Sequence, residues 1–274
     1  MKNNFQALQY AKAQLGRQYW YGTFGQLGSE KLLDEKIKQY PKMYKKWSRE
    51  SFEPGYGQKV HDCIGLAVKG YMMSPGINEP AVYNPKYDLS ADQMMDACTI
   101  TGDIDSMPDI PGVLLWKPGH IGIYMGYKST IEAKGHAYGV VVTKDTKWKK
   151  WGLCPWWEYI SISSWTVSLY KQILNREPEP EGMAYWIQQL TSQQQTPTQV
   201  IRFFLSSPEL VERDLSDEDF VTILYRVFFD REPDDGGLDY WTKQIRATSR
   251  DEVVDGFIYS TEWKDMEAYL KYII

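Results

Sequence analysis

The chain predicts an α+β domain, a cysteine-bearing helix packed on a small antiparallel sheet, followed by an all-α repeat domain. Three observations carry this expectation. A lone cysteine, Cys63, opens an apolar run of near-helical period through Ile64, Leu66, Ala67, Val68, Tyr71 and Met72. Alternating segments on either side of Gly126 read as a strand, a turn and a return strand. Beyond Trp165 the pattern changes to helices that repeat. The 274 residues suffice for two domains, and charge locates the division. Residues 1–165 carry 20 Lys and Arg against 16 Asp and Glu, a net of +4, whereas 166–274 carry 11 against 20, a net of −9. The domains are therefore placed at 1–165 and 166–274, with different partners expected for each.

Composition narrows the function classes. Apolar content of 43% and charged content of 24% fit an ordinary globular protein. No run approaches the roughly 18 apolar residues of a membrane span, and no membrane or nucleic-acid partner is expected. The N-terminal Met1-Lys2-Asn3-Asn4-Phe5-Gln6 lacks the apolar core of a signal peptide, so release by another route or a removed leader is expected. Cys98 and Cys154 read as structural thiols, since nothing in their spacing pairs them. His61, His120 and His136 do not combine with cysteines at zinc-like spacing, and neither a metal nor a cofactor is expected.

Taken in order, Phe5, Leu8, Ala11 and Leu15 predict an amphipathic helix over 4–15. Between Thr23 and Lys59, the residues Leu33, Ile37, Tyr40, Tyr44 and Trp47 step at helical spacing, with Pro41 forcing a kink or a second helix start. Lys31, Lys36, Lys38, Lys42, Lys45, Lys46 and Arg49 make this segment basic, either as a solvated helix face or as a lid beside the cleft. Residues 73–112 read as loops around a short helix near 91–97. Strands are expected at 113–116, 121–126, 130–133 and 140–143, and Trp148, Trp151, Trp156 and Trp157 close the domain.

The chemistry-bearing residues lie in the first domain. A thiolate is the nucleophilic form of cysteine, and a helix N-terminus stabilises it through unpaired N–H groups and the helix dipole. With a hairpin centred on Gly126, His120 and Glu132 fall opposite one another, and directly opposed residues bring their Cβ atoms to about 4.5–5.5 Å. A base oriented by a carboxylate is what a nucleophilic thiol needs. His61, two residues before a helical cysteine, would point away from it, and His136 on the return segment is a weaker rival to His120.

Asp62-Cys63-Ile64-Gly65-Leu66, then His120-Ile121-Gly122-Ile123-Tyr124-Met125-Gly126, then Glu132-Ala133, together resemble the NlpC-type bacterial cell-wall cysteine peptidases. The opening Leu15-Gly16-Arg17-Gln18-Tyr19-Trp20-Tyr21-Gly22 is similar to the same family's L-G-x-x-Y-x-W-G, and the resemblance spans roughly residues 5–160. Departures are Ile64 where Ser is usual, Tyr21 for Trp, Thr23 for Gly, Val113 for Asp, and Glu132 where His is common. The resemblance implies a papain-like domain that cuts amide bonds of peptidoglycan stem peptides, typically between D-glutamyl and a diamino acid. It implies Cys63 as nucleophile, His120 as base and Glu132 as orienting group. It also implies Tyr19 as a hydroxyl donor near the oxyanion, with Asp62 as a polar neighbour at the substrate. The same triad would serve an amidase or an acyltransferase, and a silent domain would leave a wall-binding or adhesion protein.

In the second domain, Leu169-Tyr170 through Arg176-Glu177-Pro178, Gly182 and Tyr185-Trp186 recurs as Leu224-Tyr225 through Arg231-Glu232-Pro233, Gly237 and Tyr240-Trp241. Thr196-Pro197-Thr198-Gln199 and Ser249-Arg250-Asp251-Glu252 read as capping boxes. Asp230 to Gly236 fails the EF-hand template, because its glycine comes one position late and Trp241 sits where the bidentate Glu belongs. The repeats resemble a helical domain of unknown function found in extracellular bacterial proteins, over about 166–266. That resemblance implies an extracellular or cell-wall location. A neutral wall sugar or a protein is the expected partner, since a net charge of −9 repels anionic polymers.

Overall fold

The computed structural model describes residues 2–144 and 147–274. The chain forms two compact units, one ending at Tyr159 and the other running from Ile160 to Ile274. The division falls slightly before the change in charge because Ser161 opens the first helix of the second unit: Ser161 and Ser164 form a reciprocal capping box at the start of Ile162–Leu174.

In the first unit, β1 (Phe24–Leu27) pairs antiparallel with β2 (Lys59–His61) in a two-stranded sheet. The main sheet holds β3 (Ile100–Asp103), β4 (Leu114–Lys117), β5 (His120–Gly126), β6 (Ser129–Gly135), β7 (Gly139–Thr143) and β8 (Lys150–Leu153). Its order is β3-β8-β4-β5-β6-β7, antiparallel throughout. The cysteine-bearing helical run covers 63–73, with a π-helical segment at Gly65–Lys69 leading into an α-helix at Gly70–Met73. Leu66, Ala67 and Val68 are buried with Ile121, Ile123, Ile131 and Ala133 of the sheet, and with Ala7, Leu8 and Ala11 of the helix Asn4–Ala13. This is the α+β, papain-like arrangement of a cysteine helix on an antiparallel sheet. Gly65 makes the packing possible, since a Cβ there would lie 2.0 Å from the carbonyl oxygen of Thr23.

The segment between β1 and β2 folds as a helix at Glu30–Gln39, a short helix at Pro41–Tyr44 and a 3₁₀ helix at Arg49–Gly55. Pro41 occupies the first turn of its helix, where the missing N–H costs nothing. Leu33, Tyr44 and Phe52 form a separate small core with Trp20 and Val60. Lys31, Lys38, Lys42, Lys45, Lys46 and Arg49 are exposed.

The second unit is helical. Its two repeats run as Ile162–Leu174, Pro180–Thr191, Pro197–Leu205 and Pro208–Val211, then Asp217–Phe229, Asp235–Ala247, Arg250–Tyr259 and Thr261–Ile273. The recurring Arg-Glu-Pro marks a packing device. Arg176 lies 4.9 Å over the Tyr170 ring and forks onto Glu209, while Arg231 lies 4.9 Å over Tyr225 and forks onto Glu262. Asn175 and Asp230 take left-handed backbone at the preceding helix ends, where Asn and Asp are tolerated. Thr196 forms the expected reciprocal capping box, and the Ser249 hydroxyl accepts from the Glu252 N–H.

Candidate active site

The site begins where β2 hands over to the cysteine helix. Asp62 is buried, and its two carboxylate oxygens accept from the backbone N–H of Gly65 at 2.7 Å and of Gly22 at 3.0 Å. It therefore caps the helix start and ties it to the Tyr19–Gly22 segment.

Cys63 is 8% exposed and lies beside the backbone N–H of Ile121, the residue after His120. The helix terminus was expected to favour a thiolate. Burial dominates instead, and with the adjacent Asp62 charge it pushes the thiol up to about 12, against the smaller pull of the N–H groups of Ile121, Ile64 and Cys63. The resting sulfur is a neutral thiol.

His120 opens β5, and its Nε2 meets Glu132 Oε2 at 2.6 Å. The other Glu132 oxygen accepts from the Thr143 hydroxyl at 2.6 Å. Glu132 is fully buried. Burial alone would raise its pKa, but the hydrogen bonds from His120 and Thr143 hold the carboxyl below its ordinary value. An ionised carboxylate accepts only, so Nε2 carries the hydrogen and Nδ1 keeps the lone pair.

The pair forms by a route other than direct opposition. The β5–β6 register sets Ile123 against Ile131 and Tyr124 against Thr130, so continuing it puts Gly122 opposite Glu132. His120 reaches the carboxylate diagonally, two residues along the same face. Gly122 leaves space for Trp148, since a Cβ there would lie 3.2 Å from Cη2 of that indole. Trp148, 3% exposed, stacks on the imidazole with 5.6 Å between centroids and 7° between planes. Lys117 Nζ lies 4.7 Å from the Trp148 ring centroid. Sequence reasoning missed Thr143 and Trp148 as neighbours of the pair, having assigned Trp148 to closing the domain. The alternation of β7 could have placed Thr143, whereas no motif marks Trp148.

Tyr19 is half-buried. Burial disfavours ionisation of its hydroxyl, and the neighbouring Asp62 acts in the same direction, so it stays protonated as a donor at neutral pH. The other histidines lie elsewhere. His61 is fully buried, with Nε2 2.9 Å from the Tyr10 hydroxyl and Nδ1 lacking a hydrogen-bond partner. Burial, then Lys59 and Arg17, lower it to about 3, and it is neutral. His136 Nε2 lies 2.8 Å from the Ser51 hydroxyl, and its ring sits between Trp47 and Phe52. Cys98 and Cys154 are free and buried. Among the described residues no group of three or more His, Cys, Asp and Glu is arranged to hold a metal ion.

A family model described as a domain of unknown function, DUF4214, matches residues 158–213 and again 203–266. No curated protein matches the sequence. Among solved structures, NlpC1 from Trichomonas vaginalis is similar at a TM-score of 0.33 and 15% identity, over 56% of this chain and 45% of that one. The peptidoglycan hydrolase RipB from Mycobacterium tuberculosis gives 0.32 and 20%, over 55% and 66%. The P60 domain of an antigen from M. avium subspecies paratuberculosis gives 0.31 and 21%, over 53% and 94%. The chain thus spans less than half of the first of these and just under two thirds of the second.

Proposed function

We propose that the first unit is a cysteine peptidase that hydrolyses stem-peptide amide bonds of bacterial peptidoglycan, the D-glutamyl to diamino-acid bond among them. The observation that carries the reading is the His120 to Glu132 hydrogen bond of 2.6 Å, with Cys63 held at a helix start beside the N–H of Ile121. The substrate class rests on the ordered motifs around Tyr19, Cys63, His120 and Glu132.

Because the thiol rests neutral, the proton leaves as the bond forms. His120 Nδ1 takes the Cys63 proton while sulfur attacks the amide carbonyl, and Glu132 stabilises the imidazolium. The Cys63 backbone N–H, at the helix start, and the Tyr19 hydroxyl donate to the developing oxyanion. His120 then delivers its proton to the leaving amine as the C–N bond breaks. Water, deprotonated by the same imidazole, resolves the thioester to a carboxylate and returns Cys63 to the thiol.

Mass spectrometry of peptidoglycan fragments after incubation tests this. The wild-type protein is expected to yield one new amine and one new carboxylate per cut, and Cys63→Ala and His120→Ala none. Wild-type hydrolysis by Cys63→Ala would overturn the assignment. Transfer of the acyl group to an added amine in place of water would mark an acyltransferase.

The helical unit is proposed to hold the enzyme on the wall or on a docking partner without taking part in the chemistry. With −9 over residues 166–274, binding is expected to use neutral sugar or protein contacts and to weaken little with salt.

A further inference from the structure

Between β1 and β2 the chain does more than connect two strands. The short helix Pro41–Tyr44, the turn after it and the 3₁₀ helix Arg49–Gly55 close one side of a cavity of ≈ 230 Å³. Tyr19, Tyr21 and His136 line the other side. The cavity lies beside the start of the cysteine helix: Tyr19 bridges His61, the Gly22 N–H donates to Asp62, the residue before Cys63, at 3.0 Å, and His136 Nδ1 lies 3.4 Å from the Tyr19 carbonyl oxygen.

The lining defines what fits. Trp47, Tyr21, Phe52 and the Met43 side chain supply apolar faces, and Trp47 and Met43 stay 41% and 40% exposed at an open mouth. Several polar groups are already engaged: the Tyr44 hydroxyl donates to the Tyr21 carbonyl at 2.8 Å, and His136 Nε2 is engaged with Ser51. Lys46 lines the cavity without an ion pair or hydrogen bond among the described residues, and the Tyr19 hydroxyl is likewise uncommitted there. An alkyl chain would favour a closed, dry slot, and a peptide strand would need an exposed sheet edge. Flat aromatic faces with donors beside them suit a ring that is apolar on its faces and polar around its edge. The volume lies just under the roughly 300–1,000 Å³ of most ligand sites, which is room for one ring and not for an oligomer.

We propose that this cavity is a saccharide subsite that takes one amino-sugar ring attached to the peptide whose amide meets Cys63. Trp47 provides the stacking face, and Lys46 donates to the ring's oxygens and its N-acyl carbonyl. The proposal deepens the peptidase reading and rests on it for the identity of the attached peptide. It accounts for the length of the segment between β1 and β2, which carries its own aromatic core and delivers five of the cavity's side chains, Met43, Tyr44, Lys46, Trp47 and Phe52.

Two readouts separate the subsite from the chemistry. In the first, a disaccharide of the wall glycan carrying no peptide is titrated into the full-length Cys63→Ser protein, with tryptophan fluorescence as the signal. Saturable quenching that Trp47→Ala weakens at least tenfold is expected, with Lys46→Met as a milder second variant. In the second, kcat/KM is compared for a stem peptide with and without its sugar. A wild-type preference of about tenfold for the sugar-bearing fragment should fall towards one in Trp47→Ala. Absence of disaccharide binding, or binding that Trp47→Ala leaves unchanged, overturns the subsite whether or not peptides are cut. Binding without cleavage of either peptide keeps the subsite and overturns the peptidase reading.

Discussion

The imidazole of His120 and the indole of Trp148 lie in near-parallel planes, 7° apart, with 5.6 Å between their centroids. The stack and the Glu132 hydrogen bond fix the ring about two different directions. Trp148 Nε1 is buried without a hydrogen-bond partner, so Trp148→Phe keeps an aromatic face and removes an unmet donor. It should alter stability by less than about 1 kcal/mol, or raise it, and retain most activity. Trp148→Leu should lose the plane and lower kcat about tenfold with little change in KM. Unchanged kcat in the leucine variant would show that the stack does not orient the base.

In the proposed mechanism the Glu132 carboxylate acts through position and charge. Glu132→Gln should keep a residual rate well above that of Cys63→Ala, because this side chain orients and stabilises without transferring the proton. Thr143→Val removes one of its two hydrogen bonds, and it should cost about 1 kcal/mol in denaturant titrations. A Glu132→Gln rate equal to wild type would remove Glu132 from the triad.

Acid sensitivity should come in two windows. His61 is held neutral at about 3 in the folded protein, so the unfolded chain binds the extra proton once pH drops below the ordinary histidine value near 6.5. Stability is then present above that value and lost as pH falls, by up to about 1.4 kcal/mol per pH unit. Glu132, held below its ordinary value, adds a second loss below about pH 4.5. His61→Phe should flatten the Tm profile between pH 6 and 5 while leaving the lower window. An unchanged slope in that variant would assign the first window to another group.

The three thiols should separate by their surroundings. Burial pushes Cys63 and Cys98 up to about 12 and raises Cys154 as well, but Cys63 alone of the three is adjacent to the residue pair that opens β5. With limiting iodoacetamide, Cys63 should be modified first, slowly near neutral pH, and His120→Ala should slow it further. Peptide mapping reads the order directly, and modification of Cys98 ahead of Cys63 would contradict it.

In the helical unit, Arg231 is expected to contribute through its planar fork onto Glu262 and its stack on Tyr225. Arg231→Ala should lower unfolding stability by about 1 kcal/mol, and Arg231→Lys should recover little of it, because an ammonium cannot make both contacts. Full recovery with lysine would reduce the motif to simple charge pairing.

The reach of the sequence is clearest in the β5–β6 hairpin. His120 and Glu132 were legible because strand alternation put them on one face, and the motifs drew attention to them. The turn was not legible. Tyr127 and Lys128 hold the left-handed backbone at φ 51° and 55°, where Gly, Asn or Asp is usual, so Gly126 looked like the centre. The displaced centre makes the contact diagonal and brings in Gly122 as the residue facing the carboxylate. β1, β2, β3 and β8 are three or four residues long and pair with distant partners, so no local period announced them. The cysteine helix was legible from its apolar run, but neither its π-helical segment at Gly65–Lys69 nor the close approach of the Thr23 carbonyl to Gly65 was, the latter being a tertiary contact that no local pattern encodes.

The β1–β2 ladder also bears on how this protein could change over time. Gln26 faces Val60 and Leu27 faces Lys59, so the two ends of the segment 28–58 are fastened side by side at about the 5 Å separation of neighbouring strands. A loop rooted on such a stem can gain or lose residues at a closure cost that grows only with the logarithm of its length. The thiol, imidazole and carboxylate sit outside that loop, on the cysteine helix and on β5 and β6. Selection can therefore redraw one wall of the cavity by editing a single interchangeable cassette, and a designer could graft a different cassette onto the same two strands to redirect what the cavity takes.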